Sequence, residues 1–451
     1  MEVATALRKL SEYPYCSVFW RDDEGAPLSV PVPRFAVDQA EGTVSFEAPT
    51  GEAVRVPTER EVGLISGHIR RQPGIGYDER RYVELWGRAR TDGERVVFEP
   101  TDAWGWDEAE LPFMEYSERG VDQAIRYFGG LSARLGRPMR PRLQAGWLFF
   151  RATRLPFLSA TFVPVLLGLA IAARSGTFDP LTAFLTVIAA AAVHLGLNVS
   201  NDVFDDLLGA DRLNYTPTPY SGGSRVIQYG LLSRREMALL SAGLYGAAIL
   251  IGLVLVAMTR SVELLVIGVA GVIISLSYTA PPLKLVYRGL GEFAVALGFG
   301  PVMLLGAYVV QTGQISLEAV VASIPVAILV ALILYVNEIP DRPADAAAGK
   351  RTLVVRFSPE TVRLAYLVAA IAAFAIIVAG VAASLLPLPT LVALAALPLA
   401  LQVYRGIGQT TNAYGLMSVM ATNIKLHMVA GALLLAGYLA AVGAAAFGLI
   451  R

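Results

Sequence analysis

The sequence predicts an all-α polytopic membrane bundle of about nine transmembrane helices, preceded by a small soluble β-barrel-like (α+β) domain. Three observations carry this expectation. Hydrophobic residues make up 55 % of the 451 residues and charged residues only 16 %, whereas an average soluble domain carries roughly 25 % charged residues. The composition breaks abruptly near Leu155, from interleaved charges and aromatics to almost unbroken apolar sequence. Beyond that break, apolar stretches of bilayer-spanning length follow one another.

The soluble part comes first. Tyr13–Trp20, Leu28–Val37, Thr43–Ala48, Val62–Ile69, Tyr82–Arg90 and Arg95–Pro100 read as short strands, rich in Val, Phe, Tyr and Trp and separated by Gly, Pro and Asp. Ser117–Leu135 reads as a helix that closes a small barrel. The soluble domain is placed at residues 1–143 and the membrane domain at 144–451. Gly136-Arg-Pro-Met-Arg-Pro-Arg142, rich in Pro and Arg, connects them.

The expected spans are Leu155–Ala173, Leu181–Val199, Met237–Met258, Leu264–Leu276, Phe293–Val310, Val320–Val336, Leu364–Leu385, Leu386–Val403 and Met428–Leu449. The fourth is short, and the junction of the seventh and eighth is tight. Lys and Arg alternate between loops. Arg212, Arg225, Arg234 and Arg235, then Lys284 and Arg288, then Lys350 and Arg351 fall on one side, and the loops between are poor in both. The rich side is expected to be cytoplasmic, with the soluble domain there and Arg451 outside the cell membrane.

Composition also excludes. Zero net charge argues against a nucleic-acid partner. A single cysteine, Cys16, rules out an intrachain disulfide and a paired-cysteine metal site. His68, His194 and His427 are far apart in sequence. No basic stretch followed by an apolar run opens the chain, so no signal peptide is expected.

Two loops concentrate acidic residues. The second span runs into Asn198-Val-Ser-Asn201-Asp202-Val-Phe-Asp205-Asp206-Leu-Leu-Gly209-Ala-Asp211, and the sixth into Asn337-Glu338-Ile-Pro340-Asp341-Arg342-Pro-Ala-Asp345. Both contain Asn-[Asp/Glu]-x-x-Asp, four spans apart, which suggests an internal duplication. Tyr287-Arg288-Gly289-Leu290-Gly291-Glu292 and Tyr404-Arg405-Gly406-Ile407-Gly408-Gln409 echo each other likewise. Asn198, Asp202 and Asp205 share one helix face, as do Asp341 and Asp345 if the helix continues past Pro340. Carboxylates crowded at helix C-termini repel each other and oppose the macrodipole. A divalent cation removes both penalties, and hard oxygen ligands, few per motif, suit Mg²⁺ bridging to a substrate phosphate. Ionisable residues at a membrane boundary are costly and are functional by default.

These motifs, together with Gly222-Gly223-Ser224-Arg225, Tyr278-Thr-Ala-Pro281, Arg288-Gly-Leu-Gly-Glu292 and Gly349-Lys350-Arg351-Thr352-Leu353, resemble the UbiA-type prenyltransferase family from about Leu148 onward. They are most like its 1,4-dihydroxy-2-naphthoate (menaquinone) branch. A third aspartate that many members carry four residues after the second is Gly209 here, and Asp211 takes its place as in that branch. The resemblance implies a bundle around a central cavity and transfer of a prenyl group from a polyprenyl diphosphate to an aromatic acceptor. It implies Mg²⁺ held by Asp202, Asp205, Asp211, Asp341 and Asp345. It places Arg225, Lys284, Lys350 and Arg351 on diphosphate oxygens, with Asn198 and Asn201 orienting carboxylates or binding phosphate. Tyr278 is expected to line the cavity near the developing cation or to serve as an interfacial tyrosine. His194 is read as a helix-packing histidine, with deprotonation of the acceptor as the alternative.

Val18-Phe19-Trp20, Gly25-Ala26-Pro27-Leu28, Val44-Ser45-Phe46 and Tyr82-Val-Glu-Leu-Trp-Gly-Arg88 resemble the split barrel of the pyridoxamine phosphate oxidase family. There, basic residues after the third strand contact a flavin phosphate. Arg55 and Arg60 fall in that region and are read as solvated loop arginines, with flavin binding as the alternative. Trp104 and Trp106 are read as packing residues. The competing functions are another acceptor (4-hydroxybenzoate, a glyceryl lipid or a porphyrin), a cation-coupled transporter, or a membrane-tethered flavin-dependent reductase.

Overall fold

In the computed structural model, residues 1–22, 26–49, 55–72, 77–410 and 412–446 are described. Gly25, Leu449 and Arg451 of the sequence reading lie outside them. The chain divides into two compact units, Met1–Gly120 and Val121–Arg451.

The first unit is one antiparallel sheet of seven strands in the order β2-β1-β5-β6-β7-β4-β3. They are β1 Cys16–Arg21, β2 Pro27–Val32, β3 Phe35–Asp38, β4 Thr43–Glu47, β5 Glu61–Arg71, β6 Tyr77–Asp92 and β7 Arg95–Asp107. Period-two alternation puts Cys16, Val18 and Trp20 of β1, and Val44 and Phe46 of β4, on the buried face. The expected strand Leu28–Val37 is two strands, broken at Pro33-Arg34 because proline cannot donate to a ladder. A helix that sequence periodicity passed over, α1 (Val3–Leu10), adds Ala6, Leu7 and Leu10 to the core. Trp106 is buried, stacks on Tyr116 at 4.6 Å and donates from Nε1 to the Leu111 carbonyl, while Trp104 is exposed. The expected helix Ser117–Leu135 is two helices, α2 (Phe113–Arg119) and α3 (Val121–Leu135), interrupted at Gly120.

In the second unit, α4 (Ala145–Thr153) ends at Arg154, whose left-handed backbone turns the chain into α5 (Ser159–Arg174). Then come α6 (Pro180–Leu208), α7 (Ala210–Leu213), α8 (Arg234–Thr259) and α9 (Val262–Ser277). A fifth spanning segment joins α10 (Gly291–Leu297) to α11 (Met303–Thr312) through a wider turn at Gly298–Val302. After these follow α12 (Leu317–Ala347), α13 (Leu353–Arg356), α14 (Pro359–Ala382), α15 (Leu397–Ile407) and α16 (Met417–Ala446). Among the described residues, eight helical segments are long and apolar enough to cross a bilayer, and the short fourth, α9, has sixteen residues. The protein is therefore a multi-pass membrane protein.

Two spans outrun their apolar stretches. α6 continues past Val199 to Leu208 and α12 past Val336 to Ala347, through Pro340 and Pro343. Each carries its acidic motif on its last turns. Gly209, at φ +90°, stops α6 in a conformation that a side chain would strain. The last helix begins at Met417, eleven residues before the apolar stretch suggested. Asn423, Lys425 and His427 interrupt hydrophobicity there, and Asn423 is buried, donating to Leu332 O at 2.7 Å and accepting from Tyr366 Oη at 2.9 Å. The eighth span opens as a tighter helix, Leu388–Ala396, behind Pro387.

Candidate active site between two acidic helix ends

The ends of α6 and α12 face one cavity of about 160 Å³. From α6 it is lined by His194, Asn198, Asn201 and Asp205; from α12 by Asn337, Glu338, Asp341 and Asp345. Asp211 of α7, Asn214, Tyr220, Ser221, Tyr278, Arg154 and Lys350 add to its polar wall. Of the three α6 residues that helical spacing put on one face, Asn198 and Asp205 line the cavity and Asp202 does not; Asp341 and Asp345 of α12 both line it.

A loop clamps the two motifs together. The Gly222 amide donates to Asp341 Oδ2 at 2.9 Å, and the Ser224 amide, two residues on, donates to Asp202 Oδ2 at 3.1 Å. Asn214 Nδ2 donates to the other oxygen of Asp341 at 2.9 Å. Gly223 lies between, at φ +77°, and a Cβ there would stand 2.9 Å from Asp211 Oδ2. The double glycine thus lets backbone pass against a carboxylate.

Lys350 ties the two halves. Its Nζ lies 3.4 Å from Asp205 Oδ2 and 3.5 Å from Asp345 Oδ1, with all three side chains almost wholly buried. Burial works against its charge, but Asp205 and Asp345 outweigh it and hold the ammonium protonated well above the usual lysine range. Asp205 also accepts from Tyr287 Oη at 2.8 Å and from Asn201 Nδ2 at 3.2 Å. Burial, reinforced by Asp205, pushes the Tyr287 phenol well up, so it remains a donor. Burial and then Asp205 and Asp202 push the Asp211 carboxyl well above its ordinary value.

Four expected site residues do not line the cavity. The Asp202 carboxylate is buried behind it, held by the Arg154 guanidinium and Ser224. Arg225 is buried and donates to the Asp211 carbonyl. Lys284 lies 5.8 Å from the Tyr287 ring. Arg351 is exposed, its amide donating to the Tyr287 carbonyl at 3.1 Å. His194 takes part in packing: its Nδ1 is 2.7 Å from Thr161 Oγ1 and its ring meets Phe299 edge-on at 4.7 Å. Arg55 and Arg60 in the first unit are exposed, and Arg60 donates to the Arg21 carbonyl.

Sequence reasoning missed Arg154, Asn214, Glu338 and Tyr287. Arg154 belongs to none of the sequence motifs, yet its guanidinium donates to Asp202. Asp206, inside the motif, is turned away and neutralised by Arg212 and Arg234.

The donor set fits a hard cation. Asn337 Oδ1 and Asp345 Oδ2 are buried without a hydrogen-bond partner, a costly arrangement unless something else satisfies them; the buried Glu338 carboxyl meets that of Glu292. Among the described residues, no three acidic, His or Cys side chains converge to ligate an ion unaided. Mg²⁺ is commonly held by one or two carboxylates, waters and substrate phosphate.

A second cavity of about 370 Å³ adjoins the first between α6, α8, α9 and the broken α10–α11 segment. The two share His194, Leu197, Tyr278, Val295 and Phe299. Its remaining wall is mostly aliphatic, including Leu253, Ile267 and Val302, with Thr186 and Ser275 as polar exceptions.

Comparison with known proteins gives a consistent result. The profile described as "UbiA prenyltransferase family" matches residues 161–415. A 2-carboxy-1,4-naphthoquinone phytyltransferase of Synechocystis is 30 % identical over 64 % of this chain and 92 % of that protein. A 1,4-dihydroxy-2-naphthoate octaprenyltransferase of Bacillus subtilis is 31 % identical over 47 % of this chain and 66 % of its own length. Among solved structures, a UbiA homolog from Aeropyrum pernix is 21 % identical, with a TM-score of 0.49, over 61 % of this chain and 97 % of that one.

Proposed function

The chain belongs to the UbiA prenyltransferase family, and from that premise we propose that it transfers a prenyl group from a polyprenyl diphosphate to 1,4-dihydroxy-2-naphthoate. The observation that carries this reading is the convergence of two acidic helix ends and Lys350 on one polar cavity that adjoins an apolar one. The named activities of the Bacillus subtilis and Synechocystis relatives support the naphthoate-type acceptor.

The diphosphate belongs in the polar cavity and the prenyl chain in the apolar one. Mg²⁺, bound through Asp205, Asp211, Asp341 and Asp345 with Asn337 and Glu338 within reach, would neutralise the departing diphosphate as a Lewis acid. Lys350 supplies a fixed positive charge where the allylic carbon–oxygen bond breaks, in a site largely closed to water. Asn198 and Asn201 orient the motif: Asn198 donates to the Thr153 carbonyl at 3.0 Å, and Asn201 bridges Asp205 and Thr279. Tyr278 sits where the two cavities meet, and its ring face attracts the developing allylic cation. The aliphatic wall keeps water from that cation. The acceptor's electron-rich ring carbon then forms the new carbon–carbon bond, and its carboxyl group leaves as carbon dioxide. Asp202 acts behind the site, holding Arg154 and Ser224 in place.

We assign the basic loops and the acidic helix ends to the cytoplasmic face, with the first unit on that side and the C-terminus outside. The test is a product assay with purified protein, labelled polyprenyl diphosphate, Mg²⁺ and each acceptor in turn. Product from naphthoate alone, with a mass showing loss of carbon dioxide, supports the reading. Product only from 4-hydroxybenzoate, a glyceryl lipid or a porphyrin overturns the acceptor assignment.

A further inference from the structure

Helix α3, Val121–Leu135, buries none of its residues. Its apolar side chains are nevertheless ordered. Val121, Ile125, Phe128, Leu131 and Leu135 recur at spacings of three and four and form one stripe along the helix. Ile125 is 46 % exposed and Leu135 50 %. Gln123 and Arg126 stand opposite the stripe, and Arg134 lies beside Gln123 on the polar face.

The end of this helix is tethered to the bundle. Ser132 Oγ accepts from the Met139 amide at 2.8 Å and donates to the Phe128 carbonyl at 2.7 Å, folding the connector back on the helix. One residue later, Arg140 makes a two-pronged ion pair with Glu236, at 2.8 and 3.0 Å. Glu236 belongs to the capping box that starts α8, so the connector is pinned where a membrane span begins. Arg134, Arg137 and Arg142 are exposed on this stretch and, with Arg126, form no ion pair among the described residues. The next helix, α4, leads into the first span with Trp147 63 % exposed and Phe149 and Phe150 also open.

An apolar stripe backed by an arginine-bearing polar face, anchored at a span's first turn and followed by exposed aromatics, matches the chemistry of an anionic headgroup layer. Aromatic residues favour the same depth. We propose that α3 lies in the plane of the membrane, its Val121–Leu135 stripe inserted among the lipid chains and its arginines on anionic headgroups. The helix thereby acts as an interfacial anchor ahead of the first span. Electrostatics and apolar burial both contribute, so insertion depends on the lipid charge.

The full chain supplies the test. Ile125→Cys and Gln123→Cys are each labelled with an environment-sensitive fluorophore and reconstituted into vesicles containing phosphatidylglycerol and phosphatidylcholine, or phosphatidylcholine alone. Cys16 remains in place, because its thiol is buried and pushed up to about 12. Its continued resistance to labelling reports that the first unit is folded. A lipid carrying a nitroxide near the headgroup should quench the label at residue 125 at least about twofold more than that at 123, and less without phosphatidylglycerol. Equal quenching at the two positions overturns the proposal. So does a label at 125 shielded from both the lipid quencher and aqueous iodide, which would mean that protein covers the stripe, either another part of this chain or a second copy.

Discussion

Replacing Lys350 by methionine probes the bridge between the two halves of the site. At 3.4 and 3.5 Å, each lysine–carboxylate pair is worth roughly 5 kcal/mol of Coulomb attraction at an effective dielectric constant near 20. Desolvation of three buried groups consumes much of that. Removing one partner, however, leaves the others uncompensated, and breaking a buried pair costs about 3–5 kcal/mol. Lys350→Met should therefore lower the melting temperature of the metal-free protein in detergent by about 4–7 °C. Asp345→Asn in the same chain should restore part of the loss, with a coupling of about 1–3 kcal/mol in the double-mutant cycle. Turnover should fall by ~10²–10³, the scale for losing one preorganised group that stabilises the transition state. Because Lys350 is charged well above the usual lysine range, its contribution is present throughout neutral and mildly alkaline pH and is lost only as pH rises through that elevated value. A variant melting within about 2 °C of wild type, with no coupling to Asp345, would overturn the bridging role of Lys350.

Two further outcomes follow from packing and from the division of the chain. At Gly168, a Cβ would stand 2.4 Å from the Leu304 carbonyl oxygen, where α5 meets α11, so Gly168→Ala should cost about 1–3 kcal/mol, read as a lower melting temperature. All the proposed transfer residues follow Leu143, so a chain beginning there should keep prenyl transfer in liposomes within a few-fold of the full protein, measured by product formation; a folded but inactive shortened protein would assign part of the site to the missing residues.

Much of this architecture was legible because a bilayer leaves few options: apolar length announces a span, and carboxylates at its end announce chemistry. Asn198, Asp205, Asp341 and Asp345 could be grouped by helical spacing alone. The partners that tie them could not. Tyr287 reaches Asp205 across 82 positions, and Asn214 reaches Asp341 across 127. Nothing local marks either. Arg154 was hidden among basic residues expected on that side of any membrane protein. Nor does the sequence show that the Arg225 guanidinium donates to the Asp211 carbonyl or that Arg351 is exposed. In the first unit, the long strand β6 was read short because exposed Glu and Arg occupy alternate positions in its first half. Proline divided one expected strand and glycine interrupted one expected helix, both local signals that deserved more weight than the apolar pattern around them.

The central claim is that Asp341 and its counterparts on α6 form one metal-dependent transfer site. Its most direct test is turnover of labelled polyprenyl diphosphate with naphthoate by purified wild-type and Asp341→Ala proteins, with Mg²⁺ and then with a chelator. The account predicts that the chelator abolishes wild-type turnover and fresh Mg²⁺ restores it, while Asp341→Ala, eluting as a folded protein, stays inactive in both. Full activity of Asp341→Ala, or of the wild type in the chelator, would contradict it.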